Sequence, residues 1–173
     1  YILEIKTKAG SENLPVEAVQ ADMVSFIPAG NYTLAICMGN SLNFFNRHDL
    51  QQILHHVAGA LEPGGAMLIN SWSIAEIVYP KFKTDSEGKV GESGMKTKQE
   101  IFFSPARIEA ETEFTAPDGS TETRKGIDYI YSLNEMEAML HEAGLTLEEV
   151  FSIPGRKKFT LGEPRAYLVA RKK

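Results

Sequence analysis

An α/β fold with a mostly parallel sheet and an antiparallel insertion is predicted by three observations. Residues 33–38 and 66–70 are apolar almost throughout, the pattern of strands buried on both faces of a parallel sheet. Between them lies the most regular helical pattern of the chain, ended by Pro63-Gly64-Gly65. From Gln99 to Tyr131 the pattern changes to extended segments separated by turn residues.

Taken in order, residues 1–9 form an amphipathic helical pattern that Gly10 ends. Residues 16–21 alternate loosely and stop at Asp22-Met23, which predicts a strand with an acidic residue at its carboxyl end. The strand at 33–38 runs into Gly39-Asn40-Ser41, a turn cluster of the kind that follows strands in α/β units. Asn46, with Asp49 three residues on, is the N-cap of a helix whose Leu50, Ile53, Leu54, Val57 and Leu61 share one face. With the strand at 66–70 this helix predicts a right-handed βαβ crossover. Residues 81–98 turn to Lys, Asp, Ser, Glu and Gly, which predicts a mobile surface loop. Extended segments follow at 99–103, 107–115 and 122–131, with Pro117-Asp118-Gly119-Ser120 as turn chemistry between the last two. Ser132 and Glu135 form a capping box for a helix that carries Leu133, Met136, Met139 and Leu140 and closes at Gly144. Strands at 147–151 and 166–170, joined by a long loop through Pro154-Gly155 and Pro164, complete the pattern.

The 173 residues, 43% hydrophobic and 24% charged, suit one domain with a sizeable core. A net charge of −5 and the lack of a basic stripe argue against nucleic acid or an anionic membrane as partner. The single cysteine excludes an intramolecular disulfide and a Cys-rich zinc site, and it suits a reducing compartment, so a cytoplasmic location is expected. Cys37 itself lies in an apolar strand with no evident base and reads as an inert core thiol. No apolar run approaches the roughly 20 residues needed to cross a bilayer. His55 and His56 are adjacent and point apart, so no shared metal site is expected.

These pieces, in this order, resemble the class I S-adenosylmethionine-dependent methyltransferases. The resemblance is carried by a strand ending Gln20-Ala21-Asp22-Met23, an apolar strand with a small polar turn at Gly39-Asn40, and Leu61-Glu62-Pro63-Gly64-Gly65 before the next strand. It extends to Leu140-His141-Glu142-Ala143-Gly144-Leu145, Pro164-Arg165 and the final Tyr167-Leu168-Val169-Ala170. Nearly the whole chain is covered. What the resemblance implies is a Rossmann-like, mostly parallel sheet, S-adenosylmethionine as cofactor, and methyl transfer to a small-molecule acceptor, with the extended segments as a substrate-side insertion. It places Asp22 and the Met23 backbone toward the adenine amino group, and Met38, Gly39 and Asn40 beside the methyl donor, where glycine permits close backbone approach. Trp72, just past a strand's carboxyl end, sits at the edge where open α/β sheets bind ligands. Tyr129 and Tyr131 alternate onto one face of the insertion, where they wall a substrate pocket or pack the insertion itself. No catalytic acid or base is singled out, because an activated sulfonium leaving group lets catalysis rest on alignment and water exclusion.

One departure stands beside the match. The family opens with a strand, a glycine-rich turn and a second strand ending in an acidic residue, and none of these is in the sequence. In the family's sheet order, 3-2-1-4-5-7-6, two strands would stand between residues 16–21 and 33–38. The expectation is a domain spanning 1–173 but incomplete at its N-terminus, the natural protein being longer there by about 50 to 80 residues. Two other functions fit parts of the pattern. One is a methyltransferase-like scaffold that forms homo-oligomers through the inserted strands. The other is a nicotinamide-dependent Rossmann oxidoreductase, which shares buried parallel strands but not the Pro-Gly-Gly junction.

Overall fold

Two sheets organise the chain, which a computed structural model describes over all of residues 1–173. In order the elements are α1 (Ile2–Ser11), β1 (Tyr32–Cys37), α2 (Arg47–Ala60), β2 (Leu61–Ser71), α3 (Ala75–Lys81), β3 (Asp85–Val90), β4 (Ser93–Phe103), β5 (Ala106–Thr115), β6 (Thr121–Tyr129), α4 (Leu133–Glu142), β7 (Leu145–Ile153), β8 (Lys157–Lys158) and β9 (Ala166–Lys172). The first sheet has the order β1-β2-β9-β7-β8. β1 and β2 are parallel, as the crossover through α2 requires, and β9 runs antiparallel to both β2 and β7. This is the 4-5-7-6 portion of the expected order, with one reversed strand. The second sheet, β3-β4-β5-β6, is antiparallel throughout and is inserted between α3 and α4.

Local signals explain the two long helices. The Asn46 carboxamide accepts the Asp49 N–H at 3.1 Å and donates to Asp49 Oδ2 at 2.7 Å, a cap worth about 1 kcal/mol. At α4 the Ser132 hydroxyl accepts the Glu135 N–H at 3.2 Å, and the Glu135 carboxylate accepts the Ser132 N–H at 2.8 Å. Both helices bury an apolar stripe against the first sheet. Leu50 and Leu54 of α2 and Met139 and Leu140 of α4 meet Ile69 of β2 and Leu168 of β9 in one core.

The Pro-Gly-Gly junction has a steric reason. It forms an irregularity at the start of β2, where the register passes from Tyr32↔Leu61 to Leu34↔Ala66. A Cβ on Gly65 would lie 2.9 Å from the Glu62 carbonyl oxygen and 3.0 Å from that of Tyr32, so two backbones close on this residue. Gly65→Ala is therefore expected to cost about 1–3 kcal/mol of stability, read as a lower urea midpoint. An unchanged midpoint would show that the junction relaxes freely.

The structure corrects three expectations. Residues 14–31 contain a turn at 23–25 and no strand: they pair with no strand of either sheet, and a lone extended segment is not held by a ladder. β1 is accordingly not buried on both faces: Leu34 and Ile36 are 55% and 65% exposed. The loop expected at 81–98 is the end of α3 followed by the β3–β4 hairpin. Its polarity reflects an edge strand exposed along its whole length. No helix is long and apolar enough to cross a membrane.

Candidate functional site

The carboxyl ends of β1 and β2 lie side by side and are locked by a buried amide and hydroxyl network. Asn40, buried and in the left-handed region at φ 66°, ends the turn after β1. Its Oδ1 accepts from the Ser71 hydroxyl at 2.9 Å, the Trp72 N–H at 3.0 Å and the Ser73 N–H at 3.1 Å. Its Nδ2 donates to the Ser73 hydroxyl at 2.8 Å. Asn43, in the short 3-10 turn Ser41–Phe44, accepts from the Ser71 hydroxyl at 2.8 Å and donates to the Tyr129 carbonyl at 2.8 Å. Ser71 has one proton to share between the two asparagines. The network thus ties the tip of β1, the tip of β2 and the end of β6 into one rigid unit.

The expected site residues divide. Met38 and Gly39 stand exposed at this edge; the Gly39 N–H donates to Asn70 Oδ1 at 3.4 Å, and φ is +76°. No atom lies within 4 Å of where a Cβ on Gly39 would be, so a ligand has open access to this backbone. Asp22 and Met23 are exposed in the 23–25 turn region, where Asp22 Oδ1 accepts the Val24 N–H at 2.7 Å. No hydrogen bond joins that carboxylate to the turn after β1. Trp72 is half-exposed and, with Ile77, Val78, Phe82, Gln99 and Ile108, lines a cavity of about 300 Å³ between α3 and the inserted sheet. Tyr129 and Tyr131 do face the same way, but into the main core: Tyr131 is buried and its hydroxyl donates to the Phe45 carbonyl at 2.8 Å. Of the two roles expected of them, wall or packing, the contacts seen are packing, made with the main core rather than within the insertion. Cys37 is half-buried, and desolvation pushes its thiol up, away from the reactive thiolate.

Asn43, Ser71, Ser73 and Asp128 escaped the sequence reading. The polar run Asn70-Ser71-Trp72-Ser73 directly after an apolar strand was the available signal. Asp128, near the end of β6, receives a long hydrogen bond of 3.4 Å from the Ser73 hydroxyl. Burial pushes its carboxyl above the ordinary 3.8, and the Ser73 bond offsets part of that. The folded protein therefore holds this proton more tightly than the unfolded chain does. Its contribution to stability is greatest at low pH and is lost as pH rises from about 3.8 through the raised folded value. Asp128→Asn is expected to gain on the wild type across that window when urea unfolding is compared at pH 4 and pH 7. A constant difference would place the carboxylate in full solvent.

A cavity of about 690 Å³ lies over the inserted sheet among charged residues such as Lys98, Glu109 and Lys125, and none of its lining belongs to the first sheet. The carboxyl ends of β1 and β2, with the Trp72 cavity beside them, remain the candidate site on geometry.

No family model and no curated protein matches the sequence. Solved structures do. An S-adenosylmethionine-dependent methyltransferase from Clostridium acetobutylicum is similar over 98% of this chain and 70% of its own, with TM-score 0.84 and 16% identity. The CcbJ methyltransferase from Streptomyces caelestis is similar over 99% of this chain and 75% of its own, with TM-score 0.85 and 16% identity. The chain has the class I methyltransferase fold. A third similar structure is the sugar N-methyltransferase KedS8 from Streptoalloteichus, over 96% of this chain and 66% of its own, with TM-score 0.65 and 16% identity. The class I fold accounts for the reversed β9 between β2 and β7, which the doubly wound dinucleotide fold lacks. Its implied cofactor, S-adenosylmethionine, fits two features of this structure. One is the open, positive-φ backbone at Gly39. The other is the exposed Asp22 carboxylate, whose Oδ2 takes no part in the turn.

Proposed function

We propose that this protein is an S-adenosylmethionine-dependent methyltransferase acting on a small-molecule acceptor. The observation that carries the reading is the sheet order β1-β2-β9-β7 with β9 alone reversed, above which the Gly39 turn stands open. A nicotinamide oxidoreductase of the doubly wound type uses parallel strands and loses support from the same observation. The cofactor, when bound, supplies a methyl group on a sulfonium already activated for in-line displacement. The chain's own residues bind and align. Asp22 offers an acceptor to the adenine amino group beside the Met23 backbone, Met38 gives apolar contact, and Gly39 lets the ligand reach the main chain. Asn40 holds that turn against β2, and Trp72 covers the acceptor and keeps water out.

The net charge of −5 favours a small acceptor over a nucleic acid, and the single cysteine favours the cytoplasm. A second copy of the chain is a partner the insertion is suited to, because β3 and β6 leave their outer edges unpaired. The test is transfer of labelled methyl from S-adenosylmethionine to a panel of small amines, alcohols and sugars. Trp72→Ala is expected to lower turnover roughly tenfold or more while cofactor affinity changes by less than about threefold. Full turnover in that variant, or activity confined to RNA or protein acceptors, would contradict the proposal.

A further inference from the structure

The Asp128 carboxylate has no ionic partner. It is half-buried, its one hydrogen bond is the long contact from Ser73, and no lysine or arginine forms an ion pair with it. Three carboxylates on the same sheet are paired, Glu109 with Arg107, Glu111 with Lys125 and Glu122 with Arg124, whereas Asp128 is half-buried and unpaired. A desolvated charge without a counter-charge is costly, and it attracts a cation that arrives with hydrogen-bond donors.

Its position says which ligand that is. Asp128 is directly opposite Ile108 in the β5–β6 register, so the two side chains share a face of the sheet. Ile108 is one wall of the 300 Å³ cavity, and Trp72, next in sequence to the Ser73 that bonds Asp128, is another. The carboxylate therefore stands beside the cavity, on the sheet face of its Ile108 wall, and the apolar part of the lining is Trp72, Ile77, Val78, Phe82 and Ile108. Apolar walls, an aromatic ring and one carboxylate form a receptor for an alkylammonium group. Of the two cavity lysines, Lys81 ends α3 and donates to the Gly162 carbonyl, and Lys83 lies two residues beyond the helix. The seven residues of α3 set the Lys81 main chain roughly 10 Å along the helix from the end nearest Ser73.

We propose that Asp128 binds the amino group of the acceptor, so that the substrate class is a compact aliphatic amine. This rests on the methyltransferase reading for the word acceptor; the binding itself does not require the cofactor. The carboxylate accepts N–H bonds from the ammonium, while the carbon skeleton lies against Trp72 and Ile108.

The probes are cyclohexylammonium and its neutral isostere cyclohexanol, titrated separately at pH 7 and read on Trp72, the single tryptophan of the sequence. The amine is expected to bind about tenfold or more tightly than the alcohol, and the preference is expected to vanish in Asp128→Asn. Equal binding of the two probes by the wild type overturns the proposal whether or not the variant folds. So does a preference that survives in Asp128→Asn, or a Trp72 signal that responds to neither probe. S-adenosylhomocysteine is titrated in parallel. If Asp128→Asn weakens it as much as it weakens the amine, the carboxylate serves the cofactor and the proposal falls. Amine preference without any binding of S-adenosylhomocysteine leaves the amine site standing and sinks the methyltransferase reading; the reverse pattern sinks only the amine site.

Discussion

Asn40→Ala is expected to lower the unfolding free energy by about 3–5 kcal/mol, a large share of what holds an ordinary domain folded. The side chain is 2% exposed and makes four hydrogen bonds. Alanine strands the Trp72 N–H and takes one of two acceptors from the Ser73 N–H, which keeps the Ser71 hydroxyl at 3.1 Å; a buried orphan costs about 1–3 kcal/mol and each further lost bond about 0.5–1.5 kcal/mol. The backbone adds to this, because φ of 66° is tolerated by asparagine and disfavoured for alanine. Water entering the space recovers part of the loss, which is why the estimate stays below the sum. Asn40→Asp forfeits the donor to Ser73 and buries a carboxylate, but it retains the Oδ1 acceptor and its three donors, so it is expected to lose less. Urea denaturation of both variants checks the order. A loss under about 1 kcal/mol for the alanine variant would show that the network carries no stability.

Gly39→Val is expected to weaken cofactor binding by about 100-fold or more. A β-branched residue at φ +76° is strained by about 1–3 kcal/mol, and its side chain fills the open space through which a ligand reaches the main chain. The strain also lowers stability, so binding is compared by calorimetry at a temperature where the variant is shown to be folded. Gly39→Ala shares the strain with a smaller obstruction and is expected to fall between. Wild-type affinity in the valine variant would remove the turn after β1 from the site.

Both expectations concern residues that the sequence reading placed correctly at a turn but for which it offered only close backbone approach. Signals that act within a few residues were legible: the Asn46 cap, the Ser132 and Glu135 capping box, and the apolar stripes of α2 and α4 all appear where the spacing puts them. The order of the strands was legible too, through the resemblance that the Pro-Gly-Gly junction helped to carry. What failed depends on partners distant in sequence. Residues 16–21 alternate like a strand, yet strand formation needs a neighbouring ladder, and these residues join none, the outer edge of β1 included. Residues 85–98 look like a loop because an exposed hairpin has no core face to impose apolar alternation. Tyr131 reads either as a pocket aromatic or as packing until the Phe45 carbonyl, 86 positions away, is seen to take its hydroxyl. Asp128 carries no local signal at all; its isolation shows only when β5, β6 and Ser73 are brought together.

The most direct test of the central claim is calorimetric titration of the protein, expressed from its complete reading frame, with S-adenosylmethionine and separately with NADH. The structure leads us to expect one S-adenosylmethionine per chain at about micromolar affinity, lost in Gly39→Val, and no heat from NADH. Binding of NADH in place of S-adenosylmethionine would contradict the account in favour of an oxidoreductase, and binding of neither would leave a scaffold with a methyltransferase fold.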